Sequence, residues 1–333
     1  MKNKAGQNFF VPALFFISGI LIFVSLLIGP AAIGPGGVLA ALFGGGDNAA
    51  SIIICEIRLP RALAAWLAGA CLGAAGAGLQ GLFRNPLADP GILGVSPAAS
   101  LGAVTAIYFN LAAFAFWVTP LAAIAGALAA TAALYILGAG RVSTARLILI
   151  GVGLSSFCGA MISLAMNLSP NPFALSDLIN WLFGTVANRS FDDLALAAPF
   201  FAAGLAMIIF ARPGLRALTL GEETAASLGA NLKKARMLII AGSAVLTGAS
   251  VAIAGAIGFV GIIAPHIART LVGHDPARII IPSALLGGAI LTAADLIIRI
   301  LPFDQELKLG VAAALIGAPG FIWVAATTRR MSA

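Results

Sequence analysis

The chain has 333 residues, 61% of them apolar and only 9% charged, where an ordinary soluble domain carries about 25% charged residues. That balance excludes a soluble enzyme, and the net charge of +7 acquires meaning only from where the basic residues fall. Cys55, Cys71 and Cys158 are scattered among small apolar residues without metal-ligand spacing and read as packing groups.

A bilayer core about 30 Å thick needs about 20 apolar residues per helix, and such stretches recur along the whole chain. In order, the expected spans are 9–29, 61–82, 91–109, 113–138, 145–168, 192–212, 236–255, 257–272, 279–298 and 310–328. The first follows Lys2 and Lys4 but is long for a signal-peptide core, so it is read as a retained helix. Ten spans place both termini on one side. If that side is cytoplasmic, 14 of the 19 Lys and Arg residues lie inside, which is the positive-inside bias and needs no nucleic acid to explain it. The exceptions are Arg58, Arg61, Arg189, Arg299 and Lys308. With no linker or long polar block, residues 1–333 read as one all-α, polytopic membrane domain, with a cytoplasmic segment at 213–236 within it.

The second span carries Ala65, Gly69, Gly73, Ala77 and Gly81 at four-residue intervals, a seam along which another helix can approach closely. Next comes Phe83-Arg84-Asn85-Pro86-Leu87-Ala88-Asp89-Pro90, an elbow that its two prolines and Gly91 keep from being helical. A weak echo of Gly76 to Gly81 and Asn85-Pro86 recurs in Gly255 to Gly261 and Pro265-His266, as inverted halves of a transporter would show. Residues 170–190 read as an external interfacial helix whose Trp181 serves either as a membrane-belt anchor or as part of a substrate vestibule. In 212–236, Thr219-Leu220-Gly221-Glu222 fits a capping box, Glu223 to Leu228 a short helix, and Gly229 its end.

Catalysis needs convergent acids, bases, nucleophiles or metal ligands, and the chain offers no such set. His266 and His274 stand outside any zinc motif, and no P-loop lysine is present to hold ATP phosphates. Apart from Asp192 and Asp193 at the very start of the sixth span, Asp295 is the one acidic residue placed inside a span. Its position four residues before Arg299 points to a local ion pair, with a proton relay as the alternative.

Several motifs in one order resemble the FecCD-type permeases of bacterial ABC importers, which include the cobalamin permease. They are Arg58-Leu59-Pro60-Arg61, Gln80-Gly81, Asn85 to Pro90, Leu220-Gly221-Glu222, Ser227-Leu228-Gly229, Gly258 to Gly261, Pro265 to Arg269, Ala294-Asp295 with Arg299, Glu306-Leu307 and Gly317-Ala318-Pro319. The resemblance covers about residues 50–325, and Lys308 departs from it where the family usually has proline.

The resemblance implies a type II importer permease in the bacterial inner membrane, paired with a second copy of itself. It further implies two ATP-binding subunits, a periplasmic binding protein and a metal-chelate cargo. That cargo is expected to be a ferric siderophore or haem, with cobalamin behind them, and the chain itself is expected to carry neither cofactor nor resident metal. By the same resemblance, Arg58, Arg61 and Arg299 stand exposed on the external face and dock the binding protein. Thr219, Gly221, Glu222, Glu223, Ser227, Leu228 and Gly229 couple to the ATPase, and Asn85, Leu87, Ser143 and Thr144 form a cytoplasmic gate. The rival is an ion-coupled secondary transporter with Asp295 as proton carrier.

Overall fold

In a computed structural model, residues 4–137, 144–302 and 306–328 are described. The chain runs through α1 (Lys4–Leu27), α2 (Pro35–Leu42), α3 (Asn48–Ser51), a π-type turn (Ile52–Arg58), α4 (Leu59–Phe83), α5 (Val95–Tyr108), α6 (Val118–Leu137) and α7 (Thr144–Asn167). It continues with α8 (Pro172–Phe183), α9 (Phe191–Phe210), α10 (Arg212–Leu218), α11 (Glu222–Ser227), α12 (Leu232–Ala254), α13 (Val260–Val272), α14 (Ile280–Ile300) and α15 (Leu309–Thr328). Among the described residues there is no strand.

Among the described residues seven segments are long and apolar enough to cross a membrane, and three shorter apolar helices, in α5, α13 and α15, bring the number to ten. Each expected span has its helix, with ends shifted by a few residues. Missing from the sequence reading is the helical stretch between α1 and α4. Gly34, Gly36 and Gly37 disguise it as a loop, but Pro35 at the first turn fixes the backbone and opens α2.

The bundle is built around α4, twenty of whose 25 residues are buried. The reason is its lack of side-chain bulk. A Cβ at Gly69, Gly73 or Gly76 would collide with the backbone carbonyl of Gly287, Ser283 or Gly261, so α14 and the start of α13 lie directly against the α4 backbone. From the other side Ser243 and Ser250 of α12 donate to the carbonyls of Ala75 and Ala68 at 3.2 and 3.1 Å. Close packing and interhelical hydrogen bonds replace the hydrophobic drive that lipid cannot supply. Peripheral helices differ: α7 buries only Gly151 and Cys158 among its described side chains.

Candidate functional site

The two ends of the bundle are chemically distinct. At one end stand Arg58, Arg61 and Arg299, which the sequence reading took to be exposed. The structure corrects this. Arg58 is 4% exposed and donates from Nη1 to Leu26 O at 2.7 Å and from Nη2 to Ala31 O. Arg61 donates to Asp295 Oδ1 from Nε at 3.0 Å and from Nη2 at 2.7 Å, and Nη2 also meets Glu306 Oε1. Arg299 pairs with Asp295 Oδ2 at 2.9 Å and donates from Nη1 to Ser25 O and Ile28 O at 3.1 and 3.2 Å.

Asp295 is thus clasped between two guanidinium groups, with 1% of its side chain exposed. The expected Asp295–Arg299 pair is present, and Arg61 joins it from 234 residues away. Burying an ion pair costs less when its remaining polar atoms are also bonded; the Ser25 and Ile28 carbonyls do this for Arg299 Nη1, while its Nε is buried without a partner. Arg61 and Glu306, at 14% and 42% exposure, form the edge that reaches solvent. Lys308 is half-buried just before α15, and its carbonyl accepts from Ala312 N at 3.1 Å.

At the opposite end, α4 stops in the left-handed Arg84 (φ 51°). Asn85 Oδ1 accepts from Leu87 N at 2.9 Å, and Asp89 Oδ1 accepts from Gly91 N at 2.7 Å, so both side chains hold the elbow's own turns. Ser155 of α7 donates to Gly91 O at 3.2 Å and ties the elbow to its neighbour. Asp89 keeps partial contact with solvent, yet burial pushes its carboxyl up to about 6, against the opposing pull of the Gly91 N–H. Of the four gate candidates, Asn85 and Leu87 are half-buried in this elbow. Thr144 opens α7, and Ser143 lies outside the described residues.

The two segments that echo one another in sequence meet here. Gln80 Nε2 donates to Gly261 O at 3.1 Å, and Arg269 Nη2 donates to Gln80 Oε1. Sequence reasoning recorded both residues as motif members and did not pair them. A glutamine and an arginine at corresponding depth in two adjoining apolar helices were the available signal.

From this same end α10 and α11 project. The expected capping box is absent: Thr219 Oγ1 donates back to Arg216 O at 2.6 Å, which closes α10, and Gly221 precedes α11 with no side-chain cap. Gly229 ends the helical stretch at φ 78°, as expected. Ala225 is buried and anchors α11, while Glu222, Glu223, Ser227, Leu228 and Gly229 are exposed. Glu222 pairs with Arg236 of α12 and Ser227 Oγ donates to Glu223 O at 3.0 Å. The result is a short acidic helix carried between α10 and α12, with Leu220 and Leu228 presented to solvent at 59% and 68%.

Comparison with known proteins bears on this arrangement. The sequence matches the FecCD transport family over residues 17–327. It is 40% identical over 283 residues to the uncharacterized ABC transporter permease protein YvrB of Bacillus subtilis, covering 84% of this chain and 80% of that protein. It is 37% identical over 311 residues to the vitamin B12 import system permease protein BtuC of Klebsiella pneumoniae, covering 93% and 91%. A solved structure of a metal-chelate type ABC transporter, in an inward-facing conformation, superposes with a TM-score of 0.83 at 30% identity, covering 96% of this chain and 99% of that one.

Proposed function

Because the chain belongs to the FecCD transport family, we propose that it is the membrane-spanning subunit of an ATP-driven importer that moves a bulky metal chelate across the inner membrane by alternating access. The observation that carries this is the family match along nearly the whole chain, joined to a short acidic helix displayed at one end of the bundle. Among cargoes, the relatives named for vitamin B12 import bring cobalamin forward of the ferric siderophore or haem expected from sequence. The metal-chelate neighbour keeps ferric chelates as the second candidate.

The elbow end faces the cytoplasm in this reading, with both termini, and the arginine end faces the periplasm. A second copy of the chain covers the apolar exposed faces of α7 and α15, which carry Leu149, Phe157, Leu315 and Ile322. Two ATP-binding subunits grip Thr219 to Gly229, where Glu222 and Glu223 meet basic groups and Leu228 fills an apolar cleft. ATP is hydrolysed on those subunits.

A periplasmic binding protein docks at the opposite end. Since Arg58 and Arg299 spend their donors inside the fold, docking acts through exchange: a partner carboxylate replaces Glu306 on Arg61, the edge that solvent reaches. The elbows at Asn85, Leu87, Ser143 and Thr144 then part and close around the path as the coupling helices move. Asp295 has both oxygens committed to arginines, which argues for a structural role over a proton carrier.

The test is co-purification of the tagged chain with its candidate ATPase, then ATPase activity in liposomes with and without the binding protein. Association with the parent chain, loss of activity in Glu222→Arg and loss of binding-protein response in Arg61→Glu support the reading. Uptake that follows the proton gradient, with no ATPase bound, overturns it.

A further inference from the structure

A cavity of about 660 Å³ lies at the arginine end, away from the arginine cluster, bounded by the end of α5, the start of α6, α8 and the turn before α9. That volume is in the range of small-molecule sites. Its wall carries one cation, Arg189, one carboxylate, Asp177, three carboxamides, Asn110, Asn171 and Asn180, and the ring of Trp181.

The cation is poorly satisfied. Arg189 lies over the Trp181 ring, 5.5 Å from its centroid, and its ion contact with Asp193 is 3.9 Å, longer than a hydrogen bond. Its Nε is buried without a partner, as is Nε1 of Trp181 behind it. Burial lowers the arginine's pKa from its ordinary value by desolvating the charged form, against the opposing pull of Asp193. The cavity rim itself is firm: Asn171 Oδ1 caps α8 through Ala174 N at 2.9 Å, and Tyr108 Oη donates to Leu168 O at 3.0 Å.

We propose that this cavity binds the carboxamide-bearing rim of the cargo as it enters. A lone cation on the wall would select carboxylates; here Asp177 stands on the same wall and repels them. A carboxamide satisfies both, its carbonyl accepting from Arg189 and its N–H donating to Asp177, and asparagine side chains pair with amides in the same two-way fashion. Trp181 supplies the flat apolar surface for the body that carries the amides. Resting on the importer reading above, this separates amide-decorated chelates, whether corrinoid or peptide-like, from polycarboxylate chelates and haem.

The test uses the full chain with its ATPase in nanodiscs and measures binding of four probes: cyanocobalamin, ferrichrome, haemin and ferric citrate. Cyanocobalamin or ferrichrome is expected to bind most tightly, the stronger of the two identifying the source of the amides. Arg189→Gln and Asp177→Asn are each expected to weaken that binding about fivefold, the effect of one hydrogen bond. Asp177→Asn is also expected to tighten ferric citrate. Thermal unfolding at the parent's temperature in Arg189→Gln and Asp177→Asn certifies that the wall stays folded. Tightest binding of haemin or ferric citrate by the parent, or unchanged affinities in both Arg189→Gln and Asp177→Asn while ATP-driven uptake persists, overturns the cavity proposal and leaves the importer reading intact. Absence of ATPase association strikes the importer reading instead, and the same affinities measured on the chain alone still decide the cavity.

Discussion

Helices α4 and α7 are both long, apolar and fit to cross a bilayer, yet they have opposite fates. The first is enclosed by α1, α9, α12, α13 and α14; the second touches mainly α5 and α6 and leaves most of its surface bare. Hydrophobicity therefore tells a span from a loop, and side-chain size tells the centre of the bundle from its rim. Glycines on α4 admit another backbone, whereas Gly153 and Gly159 of α7 have no neighbouring atom within 4 Å of where a Cβ would sit.

The sharpest way to break this contrast is a matched pair of substitutions. Gly76→Leu drives a side chain into the Gly261 carbonyl and is expected to cost on the order of 3 kcal/mol or more, with no monodisperse peak by size exclusion in detergent. Gly159→Leu is expected to leave the melting temperature unchanged. Equal effects of the two would erase the distinction between centre and rim.

Next in size is the clasp on Asp295. Asp295→Ala strands Arg61 and Arg299 within the fold, and removal of one partner from a buried network costs about 3–5 kcal/mol. Asp295→Asn keeps an acceptor and should lose less, both read by thermal unfolding in detergent.

A smaller, pH-dependent effect is expected at the elbow. The Asp89 carboxyl titrates at about 6 in the folded chain against 3.8 when free, so the folded state holds its proton more tightly. Stability from this group is present below pH 4, falls as pH rises from about 4 to 6, and is level above that. Asp89→Asn keeps an acceptor for Gly91 N and removes the titration. Its melting temperature should equal the parent's near pH 4 and exceed it above pH 6; a difference that does not change with pH would refute the account. The smallest change in stability is expected from Glu222→Arg, which breaks only an exposed pair worth about 1 kcal/mol or less, while ATPase coupling is lost.

Much of this architecture is legible in the residues themselves. The ten spans follow from apolar length, the elbow from Pro86, Pro90 and Gly91, and the Asp295–Arg299 pair from four-residue spacing. The short helix α11 was placed within a residue, although Thr219 turned out to close one helix instead of capping the next. What could not be read is long-range. No local pattern announces that Arg58 and Arg299 will bond carbonyls near Ser25 to Ala31, or that Gln80 will meet Arg269. Exposure was misjudged for the same reason: an arginine at a helix end reads as solvated until its distant acceptors are known.

Those acceptors have a consequence for how the chain is made. The Ser25 carbonyl at the end of α1 is synthesised long before one of its donors, Arg299, which lies 274 residues downstream. At ordinary elongation rates of about 5–20 residues per second, α1 waits about 15–55 s for that latch. Until α14 is inserted, the end of α1 is held by its apolar sides and by Arg58 alone, and a nascent chain that stops short of Arg299 carries a helix with only one of its two polar latches closed.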